Sequence, residues 1–245
     1  MPVTVRFLGV SGFEIRTDGG RTIVVDPFLA GSAEMGLPPS PVAAADLRDV
    51  DLILVTHGAY DHLGQAVDIA ARTGARLVCG PEVRIHALRQ GLPGAQIAKM
   101  VSGSTFEAHG MRIRALEAHH VSFFESHGAY LSAQPLSYLI ETASGARLYH
   151  SGDTSLFSDL KLFGELYRPQ VALLCVGAVE EGVAALPPEE AAIAADWLNA
   201  PLVIPMHFRA GAAEVEVFQA RLAARRPDIR VVPLEPGEVF QLSQT

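Results

Sequence analysis

The stretch DLILVTHGAYDHLG, residues 51 to 64, decides the fold. Its first half is a continuous apolar run. That is the pattern of a strand buried on both faces, and it belongs to a sheet covered by helices rather than to one with a wet face. The run stops at His57, Asp61 and His62, groups that can bind a metal. From Gly64 to Thr73 the pattern turns helical, with Val67, Ala70 and Ala71 on one face and Gly74 as the C-terminal stop. A buried strand, a tight polar loop and a covering helix form the unit from which α/β folds build sites at strand ends.

Working outward, VTVRFLG, GFEIRTD and RTIVVDPF upstream read as a β-meander. Downstream, RLVCG is a buried strand, and a helix is expected after Pro81, with Ile85 and Leu88 on its inner face and Gly91 ending it. MRIRALEAHH and PLSYLIET alternate as strands, and RLYHSGD follows the Ser144-Gly145 turn. Residues 155–167 read as helical and VALLCVG as a buried strand, while PPEEAAIAADWLNA is a helix with Ile193 and Trp197 four apart. LVIPM is a last buried strand, before a helix from about Ala212 to Ala224 and a strand pair, IRVVPL with EVFQL. The order is meander, β-α-β-α, meander, β-α-β-α-β, which reads as two similar halves in one domain over residues 1–245. The loops 31–45 and 121–135 read as irregular or mobile.

With 49% hydrophobic and 19% charged residues in 245, the chain can fill a sizeable core. Nineteen Lys and Arg against 27 Asp and Glu give a net charge of −8, which argues against a broad grip on nucleic acid polymer or anionic lipid. The longest apolar run, residues 171–179, is about half of the ~20 residues a spanning helix needs, and the start MPVTVRFLGV lacks the pattern of an export signal. Cys79 and Cys175 lie in apolar runs and are expected as buried, reduced thiols, so the cytoplasm is the expected compartment.

Five of the nine histidines fall just after buried strands: His57 and His62, His120, His150 and His207, with Asp61 and Asp153 in the same loops. Ligands gathered at strand ends from loops far apart in sequence are how a rigid scaffold builds a metal site. Imidazole and carboxylate suit Zn²⁺, Mn²⁺ or Fe²⁺.

The segment THGAYDHLG, followed in order by AHHVS, Gly152-Asp153-Thr154 and Ile204-Pro205-Met206-His207, resembles the metallo-β-lactamase superfamily with its H-x-H-x-D-H loop. VVDPF, LYHSGDTSLFSDLKLFGELY and PPEEAAIAADWLNAPLVIPMH are similar to the branch of metal-dependent hydrolases related to ascorbate-6-phosphate lactonase. The resemblance covers nearly the whole chain and implies an α/β fold, a four-layer αββα sandwich with a dinuclear site at one edge of two sheets. It places His57 and His120 at a first metal, Asp61, His62 and His207 at a second, and Asp153 between them. Asp26 matches an acid that supports the ligand loop. Family spacing favours His120 over His119. Asp61, Asp153 and His150 are the catalytic candidates, the last for proton transfer or substrate contact. One or two Zn or Mn ions, a small-molecule substrate and a homo-oligomer are further implications.

Ala59 departs from the pattern, since a methyl group stands where the family has a ligand histidine. Three outcomes follow: one metal held at the Asp61, His62, His207 and Asp153 position, a replacement ligand such as His119 or His127, or a chain whose catalysis is lost. Asp26 could be a plain turn residue before Pro27, His86 and His109 read as exposed and structural, and Glu125 with His127 as a solvated loop. Arg209 could meet an anionic substrate or simply lie on the surface. The leading expectation is hydrolysis of a small ester, lactone or phosphoester by a metal-activated water, with the first metal site weakened. The competing ones are phosphodiester hydrolysis of a nucleotide or lipid headgroup, and a non-catalytic metal- or ligand-binding protein on the same fold.

Overall fold

The structure, a computed structural model, describes residues 2–178, 185–209, 211 and 213–242. In chain order its elements are β1 (Thr4–Gly9), β2 (Gly12–Arg16), β3 (Thr22–Val25), β4 (Leu52–Val55), α1 (Tyr60–Leu63), α2 (Ala66–Thr73), β5 (Arg76–Cys79), α3 (Pro81–Arg89) and β6 (Ile97–Lys99). The chain continues with β7 (Thr105–Ala108), β8 (Met111–Glu117), β9 (Ser122–Ser126), β10 (Ala129–Ala133), β11 (Leu136–Glu141), β12 (Arg147–His150) and α4 (Asp159–Tyr167). It closes with β13 (Val171–Cys175), α5 (Pro188–Leu198), β14 (Leu202–Met206), α6 (Glu214–Arg225), β15 (Arg230–Val231) and β16 (Val239–Gln241).

Two seven-stranded sheets result, ordered β16-β1-β2-β3-β4-β5-β6 and β15-β14-β13-β12-β11-β8-β7. In each, antiparallel strands at one side give way to parallel strands at the other, as the split between meander and β-α-β segments requires. Side chains alternate along β4. Leu52 and Leu54 enter the core between the sheets, while Ile53 and Val55 pack outward with Val67, Ile69, Ala70, Val83 and Ala87 of α2 and α3. The second sheet is covered by α4, α5 and α6 in the same way, so the layers run αββα. The sheets are also stitched by polar contacts. Buried Tyr138 of β11 donates its hydroxyl to the Val55 carbonyl at 2.8 Å, and the Leu136 N–H donates to the Thr56 carbonyl at 2.9 Å. Both contacts fall at the end of β4, where the ligand loop starts.

Several expectations are corrected. The helix expected from Gly64 begins at Ala66, and a separate four-residue turn, α1, precedes it. Gly64 sits between them at φ 41°, where a Cβ would meet the Pro27 carbonyl oxygen at 2.3 Å, so the chain must break there. On α3 the buried positions are Glu82, Val83 and Ala87, whereas Ile85 and Leu88 are 39% and 37% exposed. Small residues let this helix approach the sheet closely and leave the larger ones at its margin. On α5 the buried positions are Ala191, Ala192, Ala194, Ala195 and Leu198, with Ile193 and Trp197 half-buried beside them. Residues 122–133 are not an irregular loop but a β9-β10 hairpin, and β15 and β16 join different sheets instead of pairing. The last helix starts at Glu214; Ala212 and Val179 lie outside the described residues. Among those residues no helix is long and apolar enough to cross a membrane.

Candidate metal centre

The first sheet delivers its polar groups from the ends of β3 and β4. Asp26 is fully buried and adopts φ 43°, a left-handed conformation that aspartate tolerates better than most residues. Its Oδ1 accepts the Thr56 N–H at 2.8 Å, and its Oδ2 accepts the Thr56 hydroxyl at 2.7 Å and the His62 Nδ1–H at 2.8 Å. Because the Thr56 hydroxyl proton is given to Asp26, Oγ1 can only accept from His57 Nδ1, 3.1 Å away. His57 is thereby held as the Nδ1–H tautomer with its Nε2 lone pair aimed outward, and the Asp26 bond to His62 Nδ1–H turns His62 Nε2 toward the centre, the orientation a metal ligand needs. Thr56 had no signal in the sequence as a member of this group.

The loop's backbone is fixed from another side. The Gly58 N–H donates to Ser122 Oγ at 3.0 Å, and that hydroxyl donates to buried Glu82 Oε1 at 2.9 Å. Phe124 lies over Gly58 so closely that a Cβ there would fall 2.0 Å from the ring, so no side chain can replace this glycine without moving the hairpin.

The second sheet contributes from the ends of β8, β12 and β14. Asp153 Oδ2 lies 3.3 Å from His62 Nε2, 3.0 Å from His207 Nε2 and 3.8 Å from His120 Nε2. Asp61 Oδ2 lies 3.3 Å from His207 Nε2 and 3.9 Å from His62 Nε2. Two overlapping groups have donor atoms all within 4.8 Å of one another: His57, His62 and Asp153, and Asp61, His62 and His207. His120 stands at the more open margin, 26% exposed, its ring edge-on to His57 with centroids 5.4 Å apart. Cys175 joins Asp153 and His207 within the same reach, a thiol whose neighbours could not be read from an apolar run. The His207 backbone, at φ 61°, is tethered by its N–H to the Val10 carbonyl at 2.8 Å.

Burial, reinforced by His62, pushes His57 down to about 3, so its imidazole is neutral. Burial also opposes charge on His62 and His207, yet the carboxylates around them, Asp153 foremost, hold both well above the usual histidine range. Burial would raise Asp153, but His207 and His62 hold its carboxyl well below the usual range. Buried His57 Nε2, His62 Nε2 and Asp153 Oδ1 have no hydrogen-bond partner among the described residues. Orphaned polar atoms converging in a dry volume are costly unless something else satisfies them, and imidazole nitrogens with carboxylate oxygens are the donor chemistry of a divalent transition metal. The residues fit such an ion. Metal entry must then displace the protons that the carboxylates hold on His62 and His207. About one to two protons should be released per chain near pH ~7, with apparent affinity rising as pH increases toward those raised pKa values. Calorimetric titration in buffers of different ionisation enthalpy measures this, and a buffer-independent heat would contradict it.

The remaining candidates fall elsewhere. His150 is fully buried; its Nδ1 accepts the Gly152 N–H at 3.1 Å and its Nε2 meets the Ser11 carbonyl at 3.0 Å. With both nitrogens engaged by backbone, it has none for proton transfer or substrate contact, and the catalytic role expected of it becomes that of positioning the Asp153 loop. His119 points away from the centre, stacked on Phe157 at 4.1 Å and bonded to Glu117, and His127 lies beside His86. Neither is placed to substitute for the histidine missing at 59. The Arg209 N–H faces Glu214 Oε2 at 3.3 Å.

A family model described as the beta-lactamase superfamily domain matches residues 21–208. A UPF0173 metal-dependent hydrolase from Methanopyrus kandleri is 37% identical over 241 residues, covering 97% of this chain and 99% of that protein. One from Rubrobacter xylanophilus is 34% identical over 241 residues, covering 96% and 94%. Among solved structures, the metallo hydrolase Igni18 from Ignicoccus hospitalis aligns with a TM-score of 0.82 at 28% identity over 100% of both chains. An isothiocyanate hydrolase from Delia radicum gut bacteria shares the fold, with a TM-score of 0.75 at 17% identity over 98% of this chain and 99% of that one. With its αββα layers and its donors gathered at one edge, the chain belongs to the UPF0173 metal-dependent hydrolases of the beta-lactamase superfamily.

Proposed function

We propose that the protein hydrolyses a small ester, lactone or phosphoester at this centre, with the first metal position weakened by Ala59. The observation that supports it best is the convergence of six donor side chains from both sheets, with buried ring nitrogens and a carboxylate oxygen left unpartnered. His57, His120 and Asp153 would hold a first ion, and Asp61, His62, His207 and Asp153 a second, with Zn or Mn suited to such donors. When bound, the metal supplies Lewis acidity toward water and toward the electrophilic oxygen of the substrate.

The chain's own residues do the rest. Asp153, ionised and with Oδ1 unpartnered, is placed to hold and orient the attacking water. Asp26 and Thr56 lock the two imidazoles so that no reorganisation is needed during the reaction. His120, whose pKa is lowered by burial, is neutral at the open side of the cluster, as a ligand of the first ion must be. No G-x-S-x-G nucleophile elbow occurs in the chain.

The site is proposed to act on small molecules in the cytoplasm, a reading supported by two separate buried thiols and a net charge of −8. Assembly as a homo-oligomer is part of the same proposal and rests on the family resemblance. The test is to strip the protein with a chelator, quantify Zn and Mn before and after, restore each in turn, and follow lactone, carboxylic ester and phosphodiester hydrolysis. Turnover that survives complete stripping overturns the reading. The non-catalytic alternative is favoured by one observation, Ala59 itself, and predicts tight metal binding with no turnover on any of these substrates.

A further inference from the structure

A cleft of about 340 Å³, within the size range of small-molecule sites, has in its wall Val10 and Phe208, the residue bonded to the His207 N–H and the residue that follows His207. Its walls are largely apolar: Phe7, Val10, Phe28, Leu37, Phe208 and Leu234. It shares structure with the donor cluster at two places. Val10 accepts the His207 N–H at 2.8 Å and Phe208 is the next residue, while Phe28, two residues after Asp26, meets Tyr60 edge-on at 5.7 Å just before Asp61. At this backbone contact the chain is held in an unusual state: Val10 at φ 53° and His207 at φ 61° both lie in the left-handed region. For a β-branched residue such as Val10 that conformation is a genuine outlier, of the sort that clusters at functional sites.

The charged side chains lining the cleft are Arg209 against Glu216 and Glu235, on a chain of net charge −8. A phosphorylated ligand would meet more negative than positive charge there, whereas a hydrocarbon chain would meet the aromatic and aliphatic walls that fit it. The geometry points to a substrate-chain site: an acyl chain lies in this cleft and presents its carboxylic ester or lactone carbonyl to the donor cluster. The inference rests on the hydrolase reading and narrows it to acyl substrates. The reaction adds one water across the acyl C–O bond. The water oxygen bonds to the carbonyl carbon, the bond to the alkoxy oxygen breaks with its electron pair, and a water proton ends on the released alcohol.

The experiment has two arms. In the first, metal-loaded protein is assayed with p-nitrophenyl esters from acetate to decanoate; kcat/KM should rise about fourfold per added methylene until the cleft is full. In the second, hexan-1-ol and octan-1-ol displace a fluorescent naphthalene probe from metal-free protein, with octan-1-ol the stronger by about an order of magnitude. Gln219→Trp, at a half-buried lining position on α6, should flatten both series, and Glu216→Leu, at an exposed one, should steepen them. The second variant keeps the test alive if the first fails to fold. Ester hydrolysis with a flat chain-length dependence overturns the cleft assignment and leaves the hydrolase reading standing. Graded displacement with no ester turnover overturns the substrate assignment, and the hydrolase reading falls with it only if lactones and bis(p-nitrophenyl) phosphate are not hydrolysed either. Faster turnover of bis(p-nitrophenyl) phosphate than of every acyl ester overturns the assignment as well.

Discussion

Ala59→His is expected to raise metal content from about one to about two equivalents per chain and hydrolysis by about 10²- to 10³-fold. Position 59 lies two residues beyond His57, at the N-cap of α1, half-buried and in extended conformation at φ −60° and ψ 147°. Any L-residue adopts that backbone, so histidine enters without strain. A third imidazole would join His57 and His120, neither of which is protonated at neutral pH because burial lowers both. Three protein ligands with one open position is the usual form of a catalytic zinc site. The rate gain corresponds to about 3–4 kcal/mol, within what an added Lewis acid supplies. Elemental analysis after dialysis and rates at saturating Mn or Zn measure the two effects together. If both stay at the level of the parent chain, the first site is not limited by residue 59.

The second large effect belongs to Asp26. Replacing it by alanine removes the acceptor for the Thr56 N–H, the Thr56 hydroxyl and the His62 Nδ1–H, all in a fully buried place. Stranding these donors should cost about 3–5 kcal/mol, a large part of the roughly 5–15 kcal/mol typical of a folded chain. A drop in Tm of roughly 10 °C or more is the expected readout. Asp26→Asn separates the stabilising role from the functional one. Asparagine tolerates the left-handed backbone and keeps the shape, but it lacks the charge that draws the His62 Nδ1 proton. Its Tm should stay closer to the parent, while metal affinity falls about 10- to 100-fold. An Asn variant that binds metal as tightly as the parent would show that the charge of Asp26 does not act through His62.

How legible the fold and centre were depends on the range over which each signal acts. The β4 run and the other parallel strands were readable because burial on both faces leaves an unbroken apolar pattern within four or five residues, and the meander because short strands and tight turns alternate in it. A four-residue helix such as α1 is barely one turn, too short for any periodic pattern to repeat, so the element that presents Asp61 and His62 was invisible. The β9-β10 hairpin was taken for an irregular loop because its packed face is built from Ser122 and Ser126, whose partners Glu82, His86 and Arg89 lie in a distant helix. His150 looked like its neighbours in the histidine series. Only its two backbone contacts, one to Ser11 across 139 positions of chain, reveal the different task. Thr56 and Cys175 carried no signal for the same reason, since each owes its role to groups brought in by tertiary structure.

The donors divide evenly between the halves of the chain. His57, Asp61 and His62 come from the first sheet, and His120, Asp153 and His207 from the second. Neither half holds a complete chelate, so a metal can be gripped fully only after the sandwich has closed and the Tyr138 bond to Val55 has set the spacing. An ion held by all six would act as a clasp across the seam. Its binding energy is drawn from assembled molecules alone and, at about 100 times its dissociation constant, adds about 2.7 kcal/mol to the closed form. Metal retention would then read out closure of the sandwich, because halves that have drifted apart no longer bring the six donors together.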